Sequence, residues 1–197
     1  MTEILCFGED SGHEQVISSL LKRLSAEEDV PFTLTWRSAT HGHGKVVSEL
    51  KSLLRDIRKE KGIFPELIVV ATDANCVGYN RRRRDITDLT DRIPGIRVVC
   101  ALPDPHVERW LLIDSAAFKS VLGTGCQAPD QKCERDRYKR LLREAVRRAG
   151  ISPSLGGIEY AEDIVNAMDL DRAGRDDPSL GHFLAELRLV LRGWRAR

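Results

Sequence analysis

Along the chain, apolar positions follow a strand-like pattern and then a helix-like pattern, and this pair recurs. Short runs rich in Val, Ile and Leu at residues 3–7, 32–36, 67–71 and 96–101 predict four strands. Each is followed by a stretch whose apolar residues lie three and four positions apart, which predicts an amphipathic helix. The third run contains no polar residue, as is typical of a strand buried on both faces. The pattern therefore predicts an α/β sandwich with a mainly parallel sheet.

After about residue 120 the strand signal disappears. A loop is predicted at residues 123–130, and Asp104-Pro105 predicts a helix start, with Asp104 as N-cap and proline in the first turn. Further helices are predicted at residues 134–149, 160–168 and 179–192. We therefore expect an α/β core at residues 1–122 and a helical C-terminal part at residues 123–197 that packs on the core.

Composition narrows the class of protein. With 42% apolar and 31% charged residues among 197, the chain has a globular composition. No apolar run approaches the roughly 20 residues of a membrane span, and the first residues do not resemble a signal peptide. We expect a cytoplasmic protein without a membrane partner. The five cysteines form no C-x-x-C pair, which argues against a structural zinc site and a disulfide framework, so Cys126 and Cys133 are expected to be incidental neighbours.

Charge is balanced overall but clustered locally. There are 31 basic and 30 acidic residues, yet Arg81–Arg84 is an uninterrupted basic run and basic residues dominate Lys132–Arg148. Such clusters suit phosphate binding. The alternative is a solvated helix face, and for the arginine run it includes pairing with Asp85, Asp88 and Asp91.

Acidic residues follow three of the four predicted strands. Glu9 and Asp10 come after the first strand, Asp73 after the third, and Glu108 after the fourth. Because ligands of a parallel sheet bind at the carboxyl ends of its strands, we expect these acids to converge there. Hard oxygen ligands of this kind suit Mg²⁺ or Mn²⁺, while each acid taken singly is also compatible with a turn or a helix cap.

These motifs resemble the Toprim fold and, more closely, a family of Toprim-like bacterial proteins distantly similar to the overcoming-lysogenization-defect nucleases. The resemblance covers most of the chain and rests on six segments. They are Gly8-Glu9-Asp10, Gly42-His43-Gly44-Lys45, Thr72-Asp73-Ala74-Asn75-Cys76, Val107-Glu108-Arg109-Trp110-Leu111-Leu112-Ile113-Asp114, Tyr160-Ala161-Glu162-Asp163-Ile164 and Pro178-Ser179-Leu180-Gly181-His182-Phe183. The resemblance implies a three-layer α/β sandwich with a mainly parallel sheet and a helical C-terminal part.

The resemblance also implies roles for individual residues. Glu9 matches the family's glutamate, a general acid/base or metal ligand, and Asp73 matches its first metal-binding aspartate. Asn75 stands where a second aspartate is expected and offers only a neutral carbonyl oxygen, which weakens a second metal site. Glu108 is expected to add a carboxylate. The predicted catalytic residues are Glu9, Asp73 and Glu108, and the predicted ligands of Mg²⁺ or Mn²⁺ are these three with Asn75.

The expected activity is divalent-metal-dependent cleavage of nucleic acid, in phage defence or DNA processing. The residues predicted to bind nucleic acid are Lys45, Arg81, Arg82, Arg83, Arg84 and Arg109. An ATPase partner protein and an oligomer fit the same resemblance. The alternative is a non-catalytic Toprim-like module that binds nucleic acid or an ATPase, and a small phosphotransfer enzyme acting on nucleotides is a third hypothesis.

Overall fold

A four-stranded parallel sheet forms the centre of the protein, seen in a computed structural model that describes residues 2–39, 42–59, 65–91, 93 and 95–196. The strands are β1 (Thr2–Gly8), β2 (Phe32–Ser38), β3 (Leu67–Ala71) and β4 (Val98–Ala101). Their order in the sheet is β2-β1-β3-β4, and every neighbouring pair is parallel. The predicted parallel α/β architecture is confirmed.

Helices cover both faces of this sheet. The helices among the described residues are α1 (Ser11–Glu28), α2 (His43–Lys59), α3 (Tyr79–Thr90), α4 (Val107–Leu112), α5 (Ser115–Leu122), α6 (Arg137–Arg148), α7 (Ala161–Ala167), α8 (Leu170–Asp176) and α9 (Pro178–Arg195). The short helices α5 and α8 are absent from the sequence-based prediction. Asp114 and Asp169 cap them through side-chain bonds to backbone N–H groups.

Alternation along β1 explains the three layers. Ile4 and Cys6 pack with α1, α4 and the C-terminal helices, whereas Leu5 and Phe7 pack with α2 and α3 on the opposite face. Successive side chains of a strand point to opposite faces, so one short run supplies two cores. The first core continues from β1 to α9 and crosses the predicted boundary at residue 122. A Cβ on Gly8 would lie 2.1 Å from the Trp36 ring, so this close contact requires glycine.

Two predictions from the sequence are wrong. Helix α4 begins at Val107, not at Pro105, because the Asp73 carboxylate accepts from the Val107 backbone N–H and thereby caps the helix across the fold. The sequence also argued against disulfides and treated Cys133 as an incidental cysteine, whereas a disulfide joins Cys76 to Cys133. The sequence separation of 57 positions conceals this pairing from spacing arguments, and only the tertiary fold brings the turn after β3 beside the segment that precedes α6.

Within the described residues, no helix combines the length and the apolar character that a membrane span requires.

Candidate active site

The carboxyl ends of β1 and β3 meet the first turns of α1 and α4 at one edge of the sheet. Asp10, the N-cap of α1, and Asp73, after β3, lie on either side of His13. Val107, at the start of α4, places Glu108 beside them. The sequence-based prediction that acids from three strands converge here is thus matched by the geometry of Asp10, Asp73 and Glu108.

His13 is the centre of this cluster. Its side chain is 1% exposed, its Nδ1 lies 2.9 Å from Asp10 Oδ1, and its Nε2 lies 3.1 Å from Asp73 Oδ1. Burial by itself lowers the pKa of this imidazole, but the charge of Asp73 and the hydrogen bonds to both carboxylates raise the pKa to about 10. The ring is therefore a buried cation at neutral pH.

Asp73 is bound from three directions. Besides His13, it accepts from the Val107 backbone N–H at 3.0 Å and pairs through Oδ2 with His106 Nδ1 at 2.8 Å. Burial raises the pKa of Asp73, but the two histidines outweigh it and the net pKa is lowered. The hydrogen bond to Asp73 in turn raises the pKa of His106. An ionised aspartate thus holds two histidines at the carboxyl edge.

Glu108 differs from its neighbours because one of its oxygens is unused. The residue is 6% exposed, and Oε2 has no hydrogen-bond partner among the described residues. Its other oxygen lies 3.9 Å from the Lys139 ammonium. Burial, and then the nearby charge of Asp73, raise the pKa of Glu108. A buried carboxylate oxygen without a partner costs free energy in the folded protein, which is a feature that functional sites retain.

A cleft of about 210 Å³ opens at this carboxylate. Its polar wall combines Glu108 and Asp10 with two cations of α6, Lys139 and Arg143. Ser11 and Gly12, the first two residues of α1, form another part of the wall. The remaining lining residues are Leu142, Leu155, Gly156 and Ile158. The first N–H groups of a helix have no partner within the helix and carry partial positive charge, so the cleft offers anion-binding groups beside an acid.

Glu9 belongs to a second network at the same edge. Its carboxylate accepts from the Thr72 hydroxyl, and Thr72 Oγ1 lies 3.3 Å from His43 Nδ1. His43 Nε2 lies 3.2 Å from Asp85, which also pairs with Arg81. Burial raises the pKa of Glu9. The chain of contacts connects the end of β1 to the arginine run of α3.

The other basic candidates have local partners. Lys45 pairs with Glu49 on α2, Arg83 pairs with Glu186 on α9, and Arg109 pairs with the buried Asp177. Asp177 also caps α9. Arg109 therefore fastens α9 to α4, and we do not assign phosphate binding to it. Burial, and then the charge of Arg82, lower the pKa of His43.

The donor set does not fit a resident divalent metal ion. Among the described side chains, no group of three or more His, Cys, Asp and Glu residues is arranged to hold a metal. Asp73 already binds His13 and His106, so both of its oxygens are engaged. Asn75 has its backbone in the left-handed region at φ 50°, and its side-chain amide donates to the Asp73 carbonyl at 3.4 Å. We derive no chemical step through a metal.

Sequence reasoning missed three groups of this site. His13 follows Asp10 by three residues, a spacing that places both in the first helical turn, and this was the available signal. His106 stands two residues before Glu108. Lys139 gave no signal of its own, since it is one of many cations in a basic helix.

A larger cavity of about 570 Å³ lies on the β4 side of the sheet. It is lined by parts of α3 and β4 and by Glu186 of α9. Arg83 and Glu186 neutralise each other there at 2.7 Å. We therefore place the candidate active site at the smaller cleft, which is lined by Glu108, a residue whose buried Oε2 lacks a partner in the part of the chain that the structure describes.

A family model described as a domain of unknown function (DUF4276) matches residues 8–188. The chain belongs to this family. The match spans the described site from β1 to α9, so the acid and histidine cluster lies within the DUF4276 region. Neither a curated protein nor a solved structure matches the chain.

Proposed function

We propose that this protein cleaves phosphodiester bonds of nucleic acid at the cleft beside Glu108. The observation that carries the proposal is Glu108, which lines a cleft together with Lys139 and Arg143 and whose buried Oε2 has no hydrogen-bond partner among the described residues. A buried carboxylate with a raised pKa suits a general base that works near neutral pH. The cations beside it suit a phosphate.

The phosphate is expected between α1 and α6. Ser11 and Gly12, the first residues of α1, form one wall of the cleft, and Lys139 and Arg143 form another. Backbone N–H groups at a helix N-terminus bind phosphate well because their dipoles point towards the ligand. Charge that develops on the phosphoryl oxygens would then be stabilised from both sides.

Glu108 and His106 divide the proton transfers between them. Glu108 takes a proton from the attacking water, the water oxygen bonds to phosphorus, and the bond to the leaving oxygen breaks. We assign to His106 the proton donated to that oxygen, because the hydrogen bond to Asp73 raises the pKa of His106 and favours its protonated form. Asp73 also orients the ring through the 2.8 Å contact. This assignment uses two groups whose pKa values are shifted by their surroundings.

A basic surface beside the cleft supports a polymeric substrate. Helix α6 carries exposed Arg140, Arg147 and Arg148 in addition to the two cations of the cleft. Neutralising phosphates with such side chains releases counterions, so binding should weaken steeply with salt. The resemblance noted above adds a setting in phage defence or DNA processing in the cytoplasm, with an ATPase partner, and all of these remain proposals.

Cleavage assays test the function directly. Wild type, Glu108→Gln and Glu162→Gln should be incubated with single- and double-stranded DNA and RNA, in Mg²⁺, in Mn²⁺ and in EDTA. Glu162 is a matched control because it is an exposed glutamate in a solvent-facing ion pair with Lys22. We expect cleavage by wild type and Glu162→Gln, and a loss of about 10²-fold or more in Glu108→Gln.

An inactive wild type would overturn the nuclease proposal. If it binds nucleic acid with a steep salt dependence but cleaves none, the non-catalytic module is supported. Cleavage that appears only in Asn75→Asp with Mg²⁺ would instead indicate a metal site that this chain has lost. Equal activity of Glu108→Gln and wild type would remove Glu108 from the mechanism.

A further inference from the structure

His13 occupies the space between two carboxylates that belong to different parts of the chain. Asp10 follows β1 and Asp73 follows β3, and each places one oxygen within 3.1 Å of a ring nitrogen of His13. A neutral imidazole has one N–H and one lone pair. With both nitrogens facing carboxylate oxygens, only the doubly protonated ring can donate on both sides.

The surroundings leave little alternative to a charged ring. His13 is 1% exposed, and Asp73 and Asp10 are ionised neighbours whose pKa values are both lowered. Two carboxylates at this separation repel each other unless a cation lies between them. In many proteins that cation is a divalent metal bound by aspartate oxygens. Here the imidazole ring fills the position.

We propose that the His13 imidazolium is a built-in cation that takes the place of a divalent metal between Asp10 and Asp73. The site therefore needs no resident metal ion to hold its carboxylates together. This inference deepens the proposed function, and only the metal independence of cleavage rests on that function. His13 acts as a positioning residue, because it holds Asp73, and Asp73 holds His106.

Removing His13 should create the metal site that the wild-type chain lacks. In His13→Ala the two carboxylates would face each other across a space the size of the lost ring. Their repulsion would favour a divalent ion, which brings its own water ligands and needs few protein oxygens. The expected gain is therefore specific to the loss of His13 and should require Asp73.

Thermal unfolding with Mg²⁺ or Mn²⁺ tests this without an activity assay. We expect the melting temperature of wild type to be the same in EDTA and in millimolar metal. His13→Ala should show a saturable rise of about 5–10 °C at a hundredfold excess over its Kd. His13→Ala combined with Asp73→Asn should lose that rise.

Two results would overturn the inference. One is saturable metal binding by wild type that Asp73→Asn abolishes, which would show a resident ion beside an intact His13. The other is a folded His13→Ala that binds no metal. If His13→Ala does not fold, His13→Ser, which leaves nearly the same space and carries no charge, replaces it in the same comparison, with the same gain expected.

The outcomes separate this inference from the proposed function. Metal binding gained by His13→Ala, together with a wild type that cleaves no nucleic acid, would support the built-in cation and refute the nuclease. Wild-type cleavage that continues in EDTA would support both. Wild-type cleavage that requires Mg²⁺ or Mn²⁺ would support the nuclease and overturn the metal independence.

Discussion

Two buried aspartates of this protein have similar partners and different surroundings. Asp73 and Asp114 are 8% and 3% exposed, and the carboxylate of each accepts from the backbone at a helix start and contacts basic side chains. At Asp114 the backbone donors are Ala116, Ala117 and Asp169, and the cation is Arg172. These bonds cap α5 and fasten it to the start of α8.

The difference lies in what stands next to each aspartate. Asp114 accepts hydrogen bonds from two helix starts and from one arginine, so its carboxylate serves to hold these helices together. Asp73 instead orients His106 and lies near Glu108, whose Oε2 has no partner among the described residues and which lines a cleft. A buried acid by itself therefore does not mark a functional site. We expect the unpartnered oxygen of Glu108, a residue that lines a cleft, to distinguish the site at Asp73 from the structural position of Asp114.

The largest expected effect compares the side-chain partners of the two aspartates. His106→Gln should lower the rate of nucleic-acid cleavage by about 10²–10⁴-fold, because it removes a proton donor. Arg172→Gln removes the cation on Asp114 and should leave the rate per folded molecule unchanged. Cleavage rates of both variants at saturating substrate check this. Equal losses of rate in the two variants would show that the partners of Asp73 and Asp114 do not differ in function.

Asp114→Ala should lower the free energy of unfolding and leave the cleavage rate of the folded protein unchanged. It removes an N-cap and leaves buried N–H groups unpaired, so we expect a loss of about 2–5 kcal/mol in the free energy of unfolding. Urea unfolding followed by circular dichroism measures it. The comparison would fail if the folded fraction of Asp114→Ala had also lost most of its cleavage activity.

The disulfide connects the two regions that carry the site. Cys76 follows Asp73 and Asn75, and Cys133 precedes Lys139 on α6. Replacing both cysteines with serine should lower the free energy of unfolding by about 2–4 kcal/mol, since a 57-residue loop is no longer closed in the unfolded chain. Wild type should lose a similar amount in reductant, while the double variant should not respond to it.

The smallest effect is a difference in pH dependence. The raised pKa of Glu108 means that the folded state binds this proton more tightly than the unfolded state, so stability falls as pH rises above the ordinary glutamate pKa. Glu108→Gln should lack this fall. For Asp114, burial raises the pKa, but bonds from Asp169, Ala117 and Arg172 lower it overall. Its contribution is therefore lost as pH drops below the ordinary aspartate pKa.

Melting curves of Glu108→Gln and Asp114→Asn between acidic and mildly alkaline pH check these opposite signs. As pH rises, the melting temperature of Glu108→Gln should increase relative to that of wild type. As pH falls, the melting temperature of Asp114→Asn should approach that of wild type. Parallel curves for the two variants would show that the two acids do not differ in this way.

Periodicity was sufficient for the sheet and for the longer helices. The apolar run of β3 and the alternation of β1 depend only on which faces must be buried, and burial of both sheet faces fixes a layered α/β fold. Helices α5 and α8 are absent from the sequence-based prediction because each spans only about two turns, which is too short to reveal a helical period. The start of α4 was misplaced because its cap, Asp73, is distant in sequence.

What the sequence by itself determined is the parallel α/β sheet, the helical C-terminal part and the arrival of acids at the carboxyl ends of the strands. Those features follow from local patterns, since hydrophobic burial acts on every turn and strand separately. Only the tertiary structure decided that His13 lies between Asp10 and Asp73, that Lys139 faces Glu108, and that Cys76 meets Cys133. Each of these contacts except His13–Asp10 joins residues from different elements, and charge interactions depend on distances that no local pattern contains.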